Sequence, residues 1–322
     1  MASFIARRLL QMIPLLLGIT FLTFAIVNLV PGSPVDEFAF NPRGKPADIE
    51  RIKENLGLDR PWPERYVNWL GDAVRGDLGL SLINFTPVTD RILNVLPNTL
   101  LLTTSSLVLA LAVAIPIGML AALRRNTFFD HAVNILSTVV FAIPTFWLGL
   151  MLILIFAVQF SEWGLPALPV GGTQSIRGPS GFLDRLEHLI LPMVSLAAVQ
   201  LASWTRYIRS SVLEVNRLDY VRTAESKGLS QRMINYRHVF RNALLPLVTL
   251  VSLTLPELFG GALLIETIFA WNGIGRLAYD AALQSDYTLI MGTVLMFSVL
   301  TLLANLAADV AYVLLDPRIR YG

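Results

Sequence analysis

Six stretches of this chain are too apolar and too long to be at ease in water. Leu9 to Val30 contains no Asp, Glu, Lys or Arg. Ile5–Val30, Thr99–Leu123, Val133–Phe160, Leu189–Ile208, Leu244–Ile265 and Tyr287–Leu315 each run to about twenty residues or more, enough at ~1.5 Å per residue to cross ~30 Å of hydrocarbon. Lipid offers the backbone no hydrogen-bond partners, so such segments must satisfy themselves as helices. The expectation is an all-α integral membrane protein with about six transmembrane helices. A composition of 54% hydrophobic and 15% charged residues agrees. The first run is longer than a signal-peptide core and ends in Val30-Pro31-Gly32-Ser33-Pro34 rather than a small-residue cleavage site, so it reads as a retained span. Pro14, Pro116, Pro144, Pro192 and Pro256 fall inside spans and predict kinks.

Short loops set the orientation. The N-terminus, Arg124/Arg125, the segment from Arg206 to Arg241 and Arg318/Arg320 together carry fourteen Lys/Arg, whereas the two short loops opposite carry Arg177, Arg185 and Arg276. The positive-inside rule places both termini and the central basic loop in the cytoplasm. Residues 1–30 then form an N-terminal transmembrane helix, 31–97 an external, partly helical segment, and 98–322 a five-helix core containing the loop 206–241. Within the external segment, Asp48 to Gly57 reads as a charged helix with a glycine stop, and Glu64 to Val74 as a second helix after Pro61-Trp62-Pro63. Ser161 to Arg185 is rich in Gly and Pro and reads as irregular.

Much chemistry is missing. There is no cysteine, and His131, His188 and His238 are far apart, so neither a disulfide framework nor a clustered Cys/His metal motif is present. No phosphate loop occurs, since Gly44-Lys45 is followed by Pro46 and lacks the upstream glycine, and no G-x-S-x-G or H-E-x-x-H motif supports a hydrolase. Ionisable groups inside spans are few, and such groups usually face a cavity or a partner. Glu257 and Asp309 are the clearest, with Arg206 and Glu266 nearer an interface. Glu257 is the candidate for lining a translocation pathway, or alternatively for pairing with another helix or a partner subunit.

The polar exception is the stretch Tyr220 to Pro246. From Val212 through Leu218, Val221 and Ala224 the pattern is that of an amphipathic helix, and Gly228 stands where a helix ends on a positive φ. Ser230 is a candidate N-cap for a second helix, in which Met233, Ile234, Val239 and Phe240 recur while Arg232, Arg237 and Arg241 stay polar. A nucleic-acid reader has a similar basic helix-glycine-helix pattern. Here both ends are tethered to membrane spans, which argues against nucleic acid as a partner.

This stretch resembles the cytoplasmic coupling loop, the EAA loop, of permease subunits in bacterial ATP-binding-cassette importers. Of the pattern E-A-A-x-x-x-G, Ala224 and Gly228 match, while Arg222 replaces the glutamate and Thr223 the first alanine. Leu245-Pro246 closes the motif eighteen positions after Gly228 (246 − 228). That spacing, Lys227-Gly228-Leu229-Ser230 and Arg241-Asn242-Ala243-Leu244-Leu245-Pro246 are similar to the dipeptide, oligopeptide and nickel branch of these permeases. Arg7-Arg8-Leu9-Leu10, Leu96-Pro97-Asn98-Thr99, Ile143-Pro144-Thr145-Phe146 and Glu266 to Gly275 agree, with Asn272 standing where proline is common. The resemblance covers nearly the whole chain.

The resemblance implies a non-catalytic pore subunit, the first permease of a pair, in a bacterial inner membrane. Its implied partners are a second homologous permease, two ATPase subunits that bind ATP and magnesium, an extracytoplasmic substrate-binding protein and membrane lipid; no cofactor is implied in this chain. Tyr220, Arg222, Thr223, Ala224, Glu225, Lys227, Gly228, Leu229 and Arg232 are the expected ATPase-coupling residues, with Ala224 and Gly228 permitting close helix packing. Peptides are the leading substrate class; nickel or another small solute, or a solitary ion-coupled carrier, are the alternatives.

Overall fold

The computed structural model describes residues 2–29, 60–175 and 181–315. The expected helix from Asp48 to Gly57 lies outside them. The described residues hold helices and one isolated bridge, Leu80 to Pro87, and six of the helices are long and apolar enough to cross a membrane.

The elements in chain order are α1 (Ala2–Leu29), α2 (Trp62–Val74), α3 (Val88–Leu123), α4 (Phe128–Ala142), α5 (Thr145–Leu152), α6 (Phe182–Val215), α7 (Asp219–Ser226), α8 (Gln231–Met233), α9 (Leu245–Ile268), α10 (Ile274–Leu283) and α11 (Tyr287–Leu315). A π-helical turn, Ile153–Gln159, carries α5 on to Glu162; another, Ile234–Phe240, follows α8 and runs on through Arg241–Ala243.

Two expected boundaries are corrected. The run Val133–Phe160 is not one span: it breaks at Ile143-Pro144 into α4 and the Thr145–Glu162 span. Pro144 bars the preceding residue from helical dihedrals, and Ile143 is extended at φ −82°, ψ 127°. Pro14, Pro192 and Pro256 instead sit inside α1, α6 and α9. The run expected to begin at Thr99 begins at Val88, so Pro97 lies inside the helix; Asp90 and Arg91 hid its first turns from a hydropathy reading. α10, which follows Gly273 and opens at Ile274, had no counterpart among the sequence expectations.

The chain divides into two compact units. One comprises residues 1–97 and 273–302. Its core gathers Leu78, Val88, Ile92, Ile274 and Leu289, and a Cβ on Gly292 would stand 2.5 Å from Val88 Cγ1, which is why that position has no side chain. Asp286, buried, caps α11 by accepting from Leu289 N at 3.2 Å and also accepts from Leu82 N at 3.1 Å.

The other unit comprises residues 98–272 and 303–322. α3 and α6 touch at Gly118, where a Cβ would meet Thr205 O at 2.7 Å and Ile208 Cβ at 2.9 Å. Helices in lipid pack through such small residues because shape, not water exclusion, holds them together. One cluster in this unit gathers Leu102, Leu189, Ile265, Phe269 and Trp271; a second runs from Ala114 and Trp204 through Ile208 and Val212 to the polar loop.

Candidate functional site

The polar loop is a small folded knob. α6 does not stop at the expected Ile208; it continues as helix to Val215, and a turn over residues 216–218 separates it from α7. The amphipathic helix expected from Val212 onward is therefore two pieces, the end of α6 and α7. Leu218 is extended, with ψ 146°, and restarts the helix at Asp219.

The two sides of α7 differ. Val221 and Ala224 are buried and pack with Ile208, Val212, Ile234, Val239 and Ala243. Leu229 is half-buried against the same cluster. Arg222, Thr223, Glu225, Lys227 and Arg232 are exposed. The apolar side chains Leu218, Tyr220, Met233 and Tyr236 stand exposed among them.

α7 ends as its residue types dictate. Gly228 has φ +73°, Gly228 N donates to Glu225 O at 2.9 Å, and Leu229 N donates to Ala224 O at 3.4 Å; together they make a Schellman motif. A Cβ on Gly228 would meet nothing within 4 Å. Within this chain the glycine is thus required by its dihedral, not by the close helix packing expected of it; Ala224 is the residue that packs. Ser230 caps α8, its side chain accepting from Met233 N at 3.4 Å, as its position predicts.

The π-helical turn explains the spacing of the inward residues. Ile234 and Val239, five positions apart, would diverge on an ordinary helix, but bonding from i to i+5 returns both to the buried side. Three side-chain bonds then fasten the knob. Asn242 Nδ2 donates to His238 O at 2.7 Å and to Tyr220 Oη at 3.1 Å, and Ser211 Oγ donates to Ala243 O at 2.9 Å, joining α6 to the start of the next span. Thr223 Oγ1 donates to Asp219 O, one turn earlier in α7, at 2.9 Å. Arg222 lies 4.0 Å from Asp219, an exposed pair of little consequence.

Asp130 and Arg209 form a pair that sequence alone does not single out, and Arg209 lies on α6 shortly before this knob. Asp130, buried in the first turn of α4, accepts from Nε and Nη2 of the Arg209 guanidinium on α6, with Nη2 at 2.7 Å from Oδ2, and also accepts from Asn126 N at 3.0 Å and Asn134 Nδ2 at 2.9 Å. α4 is not among the six membrane-crossing helices. The Arg209 hydrogen bond, opposed by burial and assisted by the Asn126 N–H, lowers the Asp130 carboxyl to about 2. The available signal was an acid three residues after the Thr127 cap position and an arginine one residue past the expected end of a span.

The ionisable residues expected within spans fall into different settings. Glu257 is exposed on α9, beside the buried Leu258. Glu266 is fully buried and accepts from Thr99 Oγ1 at 2.7 Å. Arg206 lies over the Phe141 ring at 4.8 Å from its centroid. Asp309 is half-buried. Asn98 collects three further contacts, from Trp271 Nε1 at 3.0 Å, to Asn272 O at 2.7 Å and from Arg185 Nη2 at 2.6 Å. Among the described residues no cluster of His, Cys, Asp and Glu is arranged to hold a metal ion.

Comparison with known proteins bears on the whole chain. Residues 114–321 match the family described as binding-protein-dependent transport system inner membrane component, and residues 1–103 match the N-terminal region described for such membrane components. The oligopeptide transport system permease protein AppB of Bacillus subtilis is 42% identical over 322 residues, covering all of both chains. The dipeptide transport system permease protein DppB of Escherichia coli is 38% identical over all of this chain and 99% of its own. Among solved structures, an inward-facing form of the MetNI methionine ABC transporter is similar in fold, with a TM-score of 0.54 at 17% identity, covering 70% of this chain and 96% of that one.

Proposed function

The chain belongs to the inner membrane components of binding-protein-dependent transport systems, and from that membership we infer that it is the pore subunit of an ATP-driven importer of di- or oligopeptides. The names of its full-length relatives support peptides as the substrate class. The alternatives, nickel or another small solute, or a solitary ion-coupled carrier, have no comparable support.

One observation carries the coupling role: a charged, exposed α7 sits on a buried apolar base that is continuous with the spans on both sides. Arg222, Glu225, Lys227 and Arg232 present charges on which a partner surface can form charge-assisted hydrogen bonds, while Leu218, Tyr220, Met233 and Tyr236 supply apolar contact area. A partner that grips this knob acts directly on α6, whose helix runs unbroken into it, and on α9 through Ser211 and Ala243. Closure of two partner ATPases around ATP and magnesium would then swing these spans and open the pathway alternately to either side. The chemistry of hydrolysis belongs to the partners. A second permease completes the pore, an extracytoplasmic binding protein delivers the peptide, and Glu257, exposed on α9, is the candidate either to line the pathway or to pair with another helix or a partner subunit. The distribution of Lys and Arg supports a bacterial inner-membrane topology with both termini and the knob in the cytoplasm.

The test is ATPase activity of the assembled complex in lipid nanodiscs, with and without the binding protein, across peptides, nickel chelates and oligosaccharides. Stimulation by peptide-loaded binding protein is expected. If no ATPase co-purifies with the chain, the solitary carrier takes its place.

A further inference from the structure

We propose that α2, Trp62–Val74, is an interfacial helix: it lies in the membrane–water boundary at the end of α1 remote from Arg7 and Arg8, and its partner is lipid rather than water or protein.

The first argument is depth. After Arg8 the uncharged part of α1 begins at Leu9, and about twenty residues at ~1.5 Å each bring the far edge of the hydrocarbon to the region of Asn28. α2 grips α1 well inside that edge. Tyr66 meets Phe21 edge-on and Phe24 at a tilt, each at 5.5 Å between ring centroids, Trp62 lies 5.9 Å from Phe21, and the Tyr66 hydroxyl is 3.0 Å from Thr20 Oγ1. Thr20 to Phe24 therefore places the contact roughly 6–12 Å below the boundary, close to the ~5–10 Å at which amphipathic helices settle. The Tyr66 hydroxyl also donates to Leu17 O at 3.2 Å, finding within the protein the partner that hydrocarbon cannot supply.

The second argument is the pattern around α2. At about 100° per residue, Trp62, Tyr66, Trp69 and Ala73 share one face, on which Trp62 and Tyr66 meet α1 and Ala73 packs on the cluster of Leu78, Val88 and Ile92. One flank of that face is apolar and bare, with Val67 65% and Val74 81% exposed. The other flank carries Glu64, Asn68, Asp72 and, one residue past the helix, Arg75. A water-bathed helix has no use for the bare valines, and a helix sunk in hydrocarbon could not keep the polar flank. At the interface both flanks are matched, and Trp and Tyr are the side chains that prefer that boundary. Arg60 pairs with Glu64 at 3.3 Å and Arg75 with Asp72 at 3.4 Å, while Arg65, on the polar side, lies over the Phe24 ring of α1 at 5.7 Å from its centroid, so the bare flank carries no charge and attachment there rests on the apolar and aromatic surface.

The chain contains no cysteine, so single labels need no background removal. Spin labels at Val67→Cys, Val74→Cys, Asn68→Cys and Asp72→Cys in phosphatidylcholine nanodiscs would be read by collision with oxygen, which concentrates in lipid, and with a water-soluble nickel chelate. Labels at the exposed α1 positions Leu22→Cys and Ile26→Cys calibrate depth. The expected result is an oxygen-to-nickel ratio several-fold higher at positions 67 and 74 than at 68 and 72, within the range set by 22 and 26. Ratios equal on both flanks with strong nickel collision would overturn the proposal in favour of an aqueous subdomain. Exclusion of both reagents at 67 and 74 would overturn it in favour of a covering protein surface.

Discussion

Asp130 and Arg209 stand 79 positions apart in sequence, yet the guanidinium of Arg209 meets both carboxylate oxygens of Asp130 and joins α4 to α6. Asp130 is buried while Arg209 is partly exposed, so removing the arginine, which leaves a buried carboxylate, costs more than removing the acid, with losses of order 1–3 kcal/mol. Asp130→Asn and Arg209→Ala are each expected to lower the thermal midpoint in detergent clearly. Arg209→Lys, which keeps the charge but loses the planar fork, should fall between them and the parent chain. An unchanged midpoint in all three would sink this account of the pair.

The same pair has a pH signature. Asp130 titrates at about 2 in the folded chain against an ordinary 3.8, so its contribution is fully present above the ordinary value and is lost as pH falls from there towards 2. The stability difference between the parent and Asp130→Asn should therefore be flat from neutral pH down to about 5 and shrink below 4. Midpoints measured over that range check it; a difference that persists at the lowest pH contradicts the assignment.

Gly228 separates a conformational from a packing requirement. With φ +73° and open space around its missing Cβ, it should accept Asn better than Ala, and Ala better than Val. Strain at such a position is of order 1–3 kcal/mol for a β-branched residue. Transport-coupled ATP hydrolysis should fall in that order while membrane insertion is unaffected. Equal loss with all three side chains would mean that a partner needs the empty space itself.

The exposed charges of the knob make the opposite prediction for stability. Reversing Arg222, Lys227 and Arg232 to Glu, singly, should move stability by no more than about 0.5 kcal/mol, since none is buried. Recovery of the ATPase with the tagged chain should nevertheless drop at low salt, and the gap from the parent should narrow as salt rises. Unaltered recovery for all three would remove these residues from the docking surface.

Gly118→Ala tests the close approach of α3 and α6. The added carbon would meet a backbone carbonyl at 2.7 Å, and a backbone cannot step aside as a flexible side chain can. A loss of about 1–3 kcal/mol is expected, as for other overpacked sites. Denaturant titration in detergent reads it directly, and wild-type stability would show that the helices separate without cost.

Much of this architecture was legible because lipid and backbone impose strong rules. Leu9 to Val30 could be little but a span, and Gly228 and Ser230 announce the end of one helix and the start of the next through their own chemistry. Other features depend on partners distant in the chain. Five prolines within apolar runs look alike in sequence, yet Pro144 breaks its helix where Pro14, Pro192 and Pro256 are carried. Asp90 and Arg91 disguised the beginning of α3, although charges are harmless in turns that extend beyond hydrocarbon. In the knob, periodicity found Ile234 and Val239, but not that a π-helical turn aligns them, nor that Asn242 clasps Tyr220 from 22 positions away. Asp130 and Arg209 carry no local mark of their pairing, and the exposure of Glu257 beside a buried leucine follows from which face α9 turns inward.

The uninterrupted helix of α6 also restricts how such a chain can change in length. Inserting one residue between Trp204 and Val212 would turn everything beyond it by about 100° and advance it by ~1.5 Å, carrying Val212 out of its cluster and Ser211 away from Ala243. Viable homologues are expected to keep α6 at a constant count.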